Sequence, residues 1–113
     1  MAQVRSFLSA KANIATATTD GAVVSAVANQ KIRVFGVIAI QGTSVGAITF
    51  NSKPAGAGTA ISAAFSPAAS GGFTLPVGDG PWFTTNAGEG LTVTTGATTT
   101  AVGIQVVYDL LPA

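Results

Sequence analysis

Three carboxylates, Asp20, Asp79 and Glu89, sit in short polar turns of the kind that often carry acid–base chemistry. Glycoside hydrolysis needs two such groups about 5–9 Å apart. Asp79 lies between Gly78 and Gly80, and Glu89 between Gly88 and Gly90, which are the surroundings of tight turns. Calcium would ask for about six to eight oxygen ligands, usually from clustered acids, and these three are dispersed. The pairs Gly56–Gly58, Gly78–Gly80 and Gly88–Gly90 precede neither a helix nor a Lys-Ser/Thr pair, so they read as turns and not as phosphate loops. Thr92-Val93-Thr94 lacks the repeat period that an ice-binding ladder requires. Histidine and cysteine are both absent. That removes thiol nucleophiles, imidazole triads, disulfides, and zinc or haem sites built on those ligands. The expectation is a protein that is not an enzyme and carries no cofactor or metal.

One pair of residues keeps a binding role open. Trp82 and Phe83 are adjacent, so in a strand their rings point to opposite faces. One ring can fill a core while the other faces outward, against another subunit or against a sugar; burial of both within the monomer is the third reading.

The elements that would position these residues are strands. With 113 residues the chain fits one domain. From Ala22 onward, short runs rich in β-branched residues alternate with Gly, Pro, Asn and Ser clusters at a spacing of roughly 8–12 residues, the pattern of a sandwich or barrel. The strongest run is Lys31–Gln41. Strict alternation puts Ile32, Val34, Ile38 and Ile40 on one face and Arg33, Phe35, Val37 and Ala39 on the other. Apolar residues on both faces mean cover on both sides. The last strand sets Val102, Ile104, Val106 and Tyr108 against Gly103, Gln105 and Val107. The expected fold is an all-β antiparallel sandwich, a jelly roll of about eight strands, over residues 21–113. Residues 1–20 are expected to form an extended N-terminal arm.

The arm carries Val4, Phe7, Leu8 and Ile14 as scattered anchors. Each fully buried anchor contributes roughly 1.5–3 kcal/mol, against roughly 1–2 kcal/mol of backbone ordering for every residue fixed. Four anchors over twenty residues lose that contest unless a ready-made groove receives them. The arm is therefore expected to be mobile in free subunits and ordered on a partner, with Arg5 and Lys11 meeting acidic groups.

Charge points the same way. Only 8% of residues are charged, against about 25% in typical globular domains, while 48% are hydrophobic and mean hydropathy is +0.55. A surface this poor in charge is expected where copies of the chain or a larger assembly cover it. All five basic residues precede residue 54, with Asp20 the one acid among them, giving that half +4; Asp79, Glu89 and Asp109 give the remainder −3. A net charge of +1 and a pI near 8.2 make no case for nucleic acid. The longest dense apolar run, Val34–Ile40, is far short of the roughly 20 residues of a membrane-spanning helix, so no membrane partner is expected.

From Asp20 to Leu110 the chain resembles short bacteriophage structural proteins, the decoration (cement) or head-fibre subunits built as β-sandwiches. The matching features are Lys31-Ile-Arg-Val34 opening a hydrophobic strand, Gly80-Pro-Trp-Phe83 with Thr84-Thr85, Asn86-Ala-Gly-Glu-Gly-Leu91, and the final strand Val102–Tyr108. The resemblance implies a virion surface protein, assembled in the host cytoplasm and often trimeric, that clamps major capsid subunits together. Its candidate interface residues are Val4, Arg5, Phe7, Leu8, Phe35, Val37 and Trp82. The alternative is a small β-sandwich module for glycan or cell-surface recognition in a fibre or adhesin.

Overall fold

The computed structural model describes residues 7–43, 46–96 and 101–112. Val4 and Arg5, both expected at an interface, lie outside the described residues. The described chain is all β, without helix: β1 (Leu8–Ile14), β2 (Gly21–Val24), β3 (Gln30–Gln41), β4 (Ile48–Lys53), β5 (Thr59–Ala60), β6 (Gly72–Leu75), β7 (Phe83–Thr84), β8 (Gly90–Thr95) and β9 (Val102–Pro112). They form two antiparallel sheets packed face to face. One runs β1-β9-β3-β6, with β7 also pairing β3; the other runs β2-β8-β4-β5.

The core lies between the sheets. Ile32, Val34, Val37 and Ala39 of β3 and Val102, Ile104 and Val106 of β9 come from one side; Ile48, Phe50, Leu91 and Val93 come from the other. The Phe50 and Phe83 rings stack at 5.1 Å between centroids. Alternation along β4, β8 and β9 supplies these inward positions, as a period of two must when one face is buried.

β3 departs from strict alternation. Its register against β9 shifts between Val34 and Gly36, where Val34 pairs Tyr108 and Gly36 pairs Val107. Phe35 is the extra residue of a β-bulge, and a bulge exchanges the faces of everything beyond it. Ile32 and Val34 point inward, and so do Val37, Ala39 and Gln41; Ile38 and Ile40 point outward. This corrects the expected assignment, which put Ile38 and Ile40 with Val34 and set Val37 on the far face.

The N-terminal segment also differs from the expected arm. Leu8–Ile14 is paired residue for residue with β9, from Leu8 opposite Tyr108 to Ile14 opposite Val102. Ala12 and Ile14 are buried in the core. Of the anchors, Ile14 is received by the chain's own sandwich, beside the inward Val102 and Ile104 of β9, while Leu8 is paired to β9 through its backbone with its side chain exposed.

Candidate functional site

The outer face of the five-stranded sheet holds most of the apolar side chains left exposed. It is built in two halves. The half at the beginning of β3 is two side chains deep. Phe35, displaced outward by the bulge, is fully buried because the Phe7 ring lies on it, 5.1 Å between centroids. The Arg33 guanidinium sits 5.4 Å from the Phe35 ring centre and is held by Asp109 in a two-pronged contact, Nε to Oδ1 at 2.8 Å and Nη2 to Oδ2 at 2.6 Å. This hydrogen bonding raises the Arg33 pKa above its ordinary value.

The loop between β6 and β7 raises this half further. A Cβ on Gly36 would meet Val77 Cγ2 at 2.8 Å, so the absence of a side chain at Gly36 lets Val77 lie directly on the sheet. Trp82 donates its backbone N–H to the Val34 carbonyl at 2.8 Å and its indole N–H to the Pro76 carbonyl at 2.8 Å, closing the loop over residues 76–82. Phe83 enters the core, so alternation sends Trp82 to the outer side, where it is 50% exposed.

The half toward the end of β3 is bare. Ile38 is 51% and Ile40 56% exposed. With Gln105 opposite it in register, Ile38 separates two shallow hollows. One, of about 300 Å³, is lined by Gly36, Thr74, Val77 and Val107. The other, of about 250 Å³, is lined by Lys11, Asn13, Ile40 and Gly103.

Of the residues expected at an interface, Phe7, Leu8 and Trp82 are at the surface and Phe35 lies just beneath it, under Phe7. Val37 does not join them: it is 2% exposed and belongs to the core, because the bulge turns it inward. Ile38 and Ile40 are the surface residues that strict alternation missed; a glycine next to a bulky aromatic in a long strand, Phe35-Gly36, is the signal of a bulge, while Val77 lies in the loop after β6, where alternation does not apply.

The carboxylates have structural partners. Asp20 accepts from the Thr92 hydroxyl at 3.0 Å and from the Gly58 backbone N–H at 3.0 Å. Glu89 accepts from the Ser52 hydroxyl at 2.7 Å, and Asp109 holds Arg33. Asp79 is exposed in its turn. Among the described residues no three His, Cys, Asp or Glu side chains gather as a metal site.

The chain matches no protein-family model, no curated protein and no solved structure. Its surface chemistry is therefore the ground on which function is argued.

Proposed function

We propose that this chain is a non-enzymatic structural subunit of a bacteriophage particle, decorating the capsid and cementing its major subunits. The observation that carries the reading is the outer face of the five-stranded sheet, where Ile38, Ile40, Val77 and Trp82 are left exposed on a chain with very few charges. A lone soluble domain seldom leaves such a face to water; interaction sites do. The strand orders β1-β9-β3-β6 and β2-β8-β4-β5 support reading the sandwich as a jelly roll with β7 as an addition, an architecture found in viral capsid and lectin domains. That support is fold analogy; the resemblance of residues 20–110 to decoration and head-fibre subunits names the particle and suggests a three-fold count.

The glycan-recognition alternative has less behind it. Sugar sites set polar groups around an aromatic ring, whereas the Trp82 indole N–H is spent on Pro76 and its loop neighbour Val77 is apolar.

The test is location. Particles purified by density gradient should contain the chain at a fixed ratio to the major capsid protein, and imaging should place it on the outer shell. Absence from purified particles, together with specific retention on a glycan array, would overturn the capsid reading in favour of the recognition module.

A further inference from the structure

We infer that the bare half of the five-stranded sheet's outer face is covered by the same face of a second copy, in a two-fold, sheet-to-sheet pair. The inference rests on reading this face as a protein interface and goes on to say which protein occupies it.

Area is the first argument. β3 and β9 pair along their whole length from Gln30 to Gln41, while β1 adds Leu8–Ile14 and β6 adds Gly72–Leu75. At roughly 3.3 Å per residue and about 4.8 Å per strand these four strands cover about 540 Å². That flat area, before side-chain relief is counted, is close to the roughly 600 Å² per partner at the lower end of specific interfaces.

Relief is the second. Val77 on Gly36 and Phe7 on Phe35 raise one half of the face, while the other ends at Ile38 and Ile40 with hollows on either side. A second copy turned end for end sets its raised half on the bare half of the first, and the reverse. One patch thereby supplies both the projection and the recess, the condition for a self-complementary contact. The chemistry agrees: among the described residues Lys11 is the only charged one lining either hollow, and the Arg33–Asp109 charges neutralise one another within their own subunit.

Symmetry is the third. Raised and bare halves share one sheet face, so their outward directions agree. Two copies can oppose such a face only through a half-turn. Closing a ring of three needs two patches that face different ways. This contact therefore makes pairs, and the trimer implied by the resemblance would have to form through another surface.

Light scattering on the purified full-length chain, at concentrations on the order of 10 µM or above, where contacts of micromolar affinity are populated, reads the result. The expected species is a dimer. Ile38→Asp, on the bare half, should weaken the dimer at least about 30-fold, the effect of losing one interface hot spot. Val77→Asp, on the raised half, should do the same. Circular dichroism and melting temperature should remain those of the parent in both, since each side chain is about half exposed. Ala22→Asp, on the exposed surface of the other sheet, should leave the dimer intact. A monomer, a trimer, or a dimer indifferent to both Ile38→Asp and Val77→Asp overturns the inference. None of these readouts involves the particle, so the dimer can stand if the capsid reading fails, and fail if it stands.

Discussion

The two sheets finish their outer faces by different means. On the four-stranded sheet the outward residues Asn51, Thr92 and Thr94 are polar and hydrogen-bonded within the chain. Thr94 Oγ1 accepts from Asn51 Nδ2 at 2.9 Å and from the Asp20 backbone N–H at 3.2 Å. Asp20 then takes the Thr92 hydroxyl and the Gly58 N–H. Asn51 and Thr92 end up buried although they point away from the core. On the five-stranded sheet the large apolar residues that β3 turns outward are Phe35, Ile38 and Ile40, and of these three Phe35 alone is buried. Intramolecular cover makes a face part of the fold, whereas an uncovered apolar face is available to a partner. Substitutions on the first face should therefore be read in unfolding, and substitutions at Ile38 or Ile40 in association.

The largest expected effect breaks that division from the covered half of the apolar face. Phe35→Ala removes a fully buried ring and leaves Phe7 without its 5.1 Å partner. Buried Phe→Ala changes cost about 3–5 kcal/mol, and the low end applies here because one ring provides much of the cover. Urea unfolding should show a loss of about 3 kcal/mol. A loss below about 1 kcal/mol would mean that the Phe7–Phe35 layer contributes little to the fold and that the whole outer face belongs with the association surface.

The next effect tests the polar face. Asp20 has φ of +54°, in the left-handed region that Asn and Asp enter more readily than Ala. Asp20→Ala leaves the Gly58 N–H and Thr92 hydroxyl without their acceptor and adds backbone strain. Together these should cost about 2–3 kcal/mol in the same unfolding experiment. Asp20→Asn keeps one acceptor oxygen and the backbone preference, and should cost about 1 kcal/mol. Equal losses for the two variants would show that charge, and not the hydrogen-bonded cover, carries the stability of this face.

Much of the architecture could be read before any coordinates. Alternation located β3, β4, β8 and β9 because their inward residues are large and β-branched. β1 escaped because its inward series, Leu8, Ala10, Ala12 and Ile14, is half alanine; the interleaved Ser9, Lys11 and Asn13 complete a period of two that carries little hydrophobic weight. The bulge at Phe35 escaped for a different reason. An isoleucine is equally at home on either face of a strand, so nothing local distinguishes Val37-in, Ile38-out from the reverse; the register against β9 decides it. Trp82 was legible as a surface candidate because its neighbour Phe83 had to take the other side. The Asp20–Thr92 contact spans 72 residues, and no pattern within either segment announces it.

The smallest effect sharpens the comparison by separating ionic from neutral cover. Arg33 and Asp109 form the one ion pair among the described residues, with side-chain exposures of 27% and 13%, on the raised half of the apolar face. Arg33→Lys keeps the charge but loses the planar fork that reaches both carboxylate oxygens and the flat surface lying near the Phe35 ring. Partly exposed pairs are worth about 0.2–1 kcal/mol, so the expected loss is about 0.5 kcal/mol in low salt. It should shrink as ionic strength approaches about 1 M, where screening acts over roughly 3 Å. Asn51→Ala, which removes a neutral hydrogen bond to Thr94 from the opposite face, should cost the same at both salt concentrations. One denaturation series compares Arg33→Lys with it directly. If the Arg33→Lys loss is indifferent to salt, the guanidinium acts through its packing on Phe35 and not through Asp109, and the raised half is then held as an apolar layer throughout.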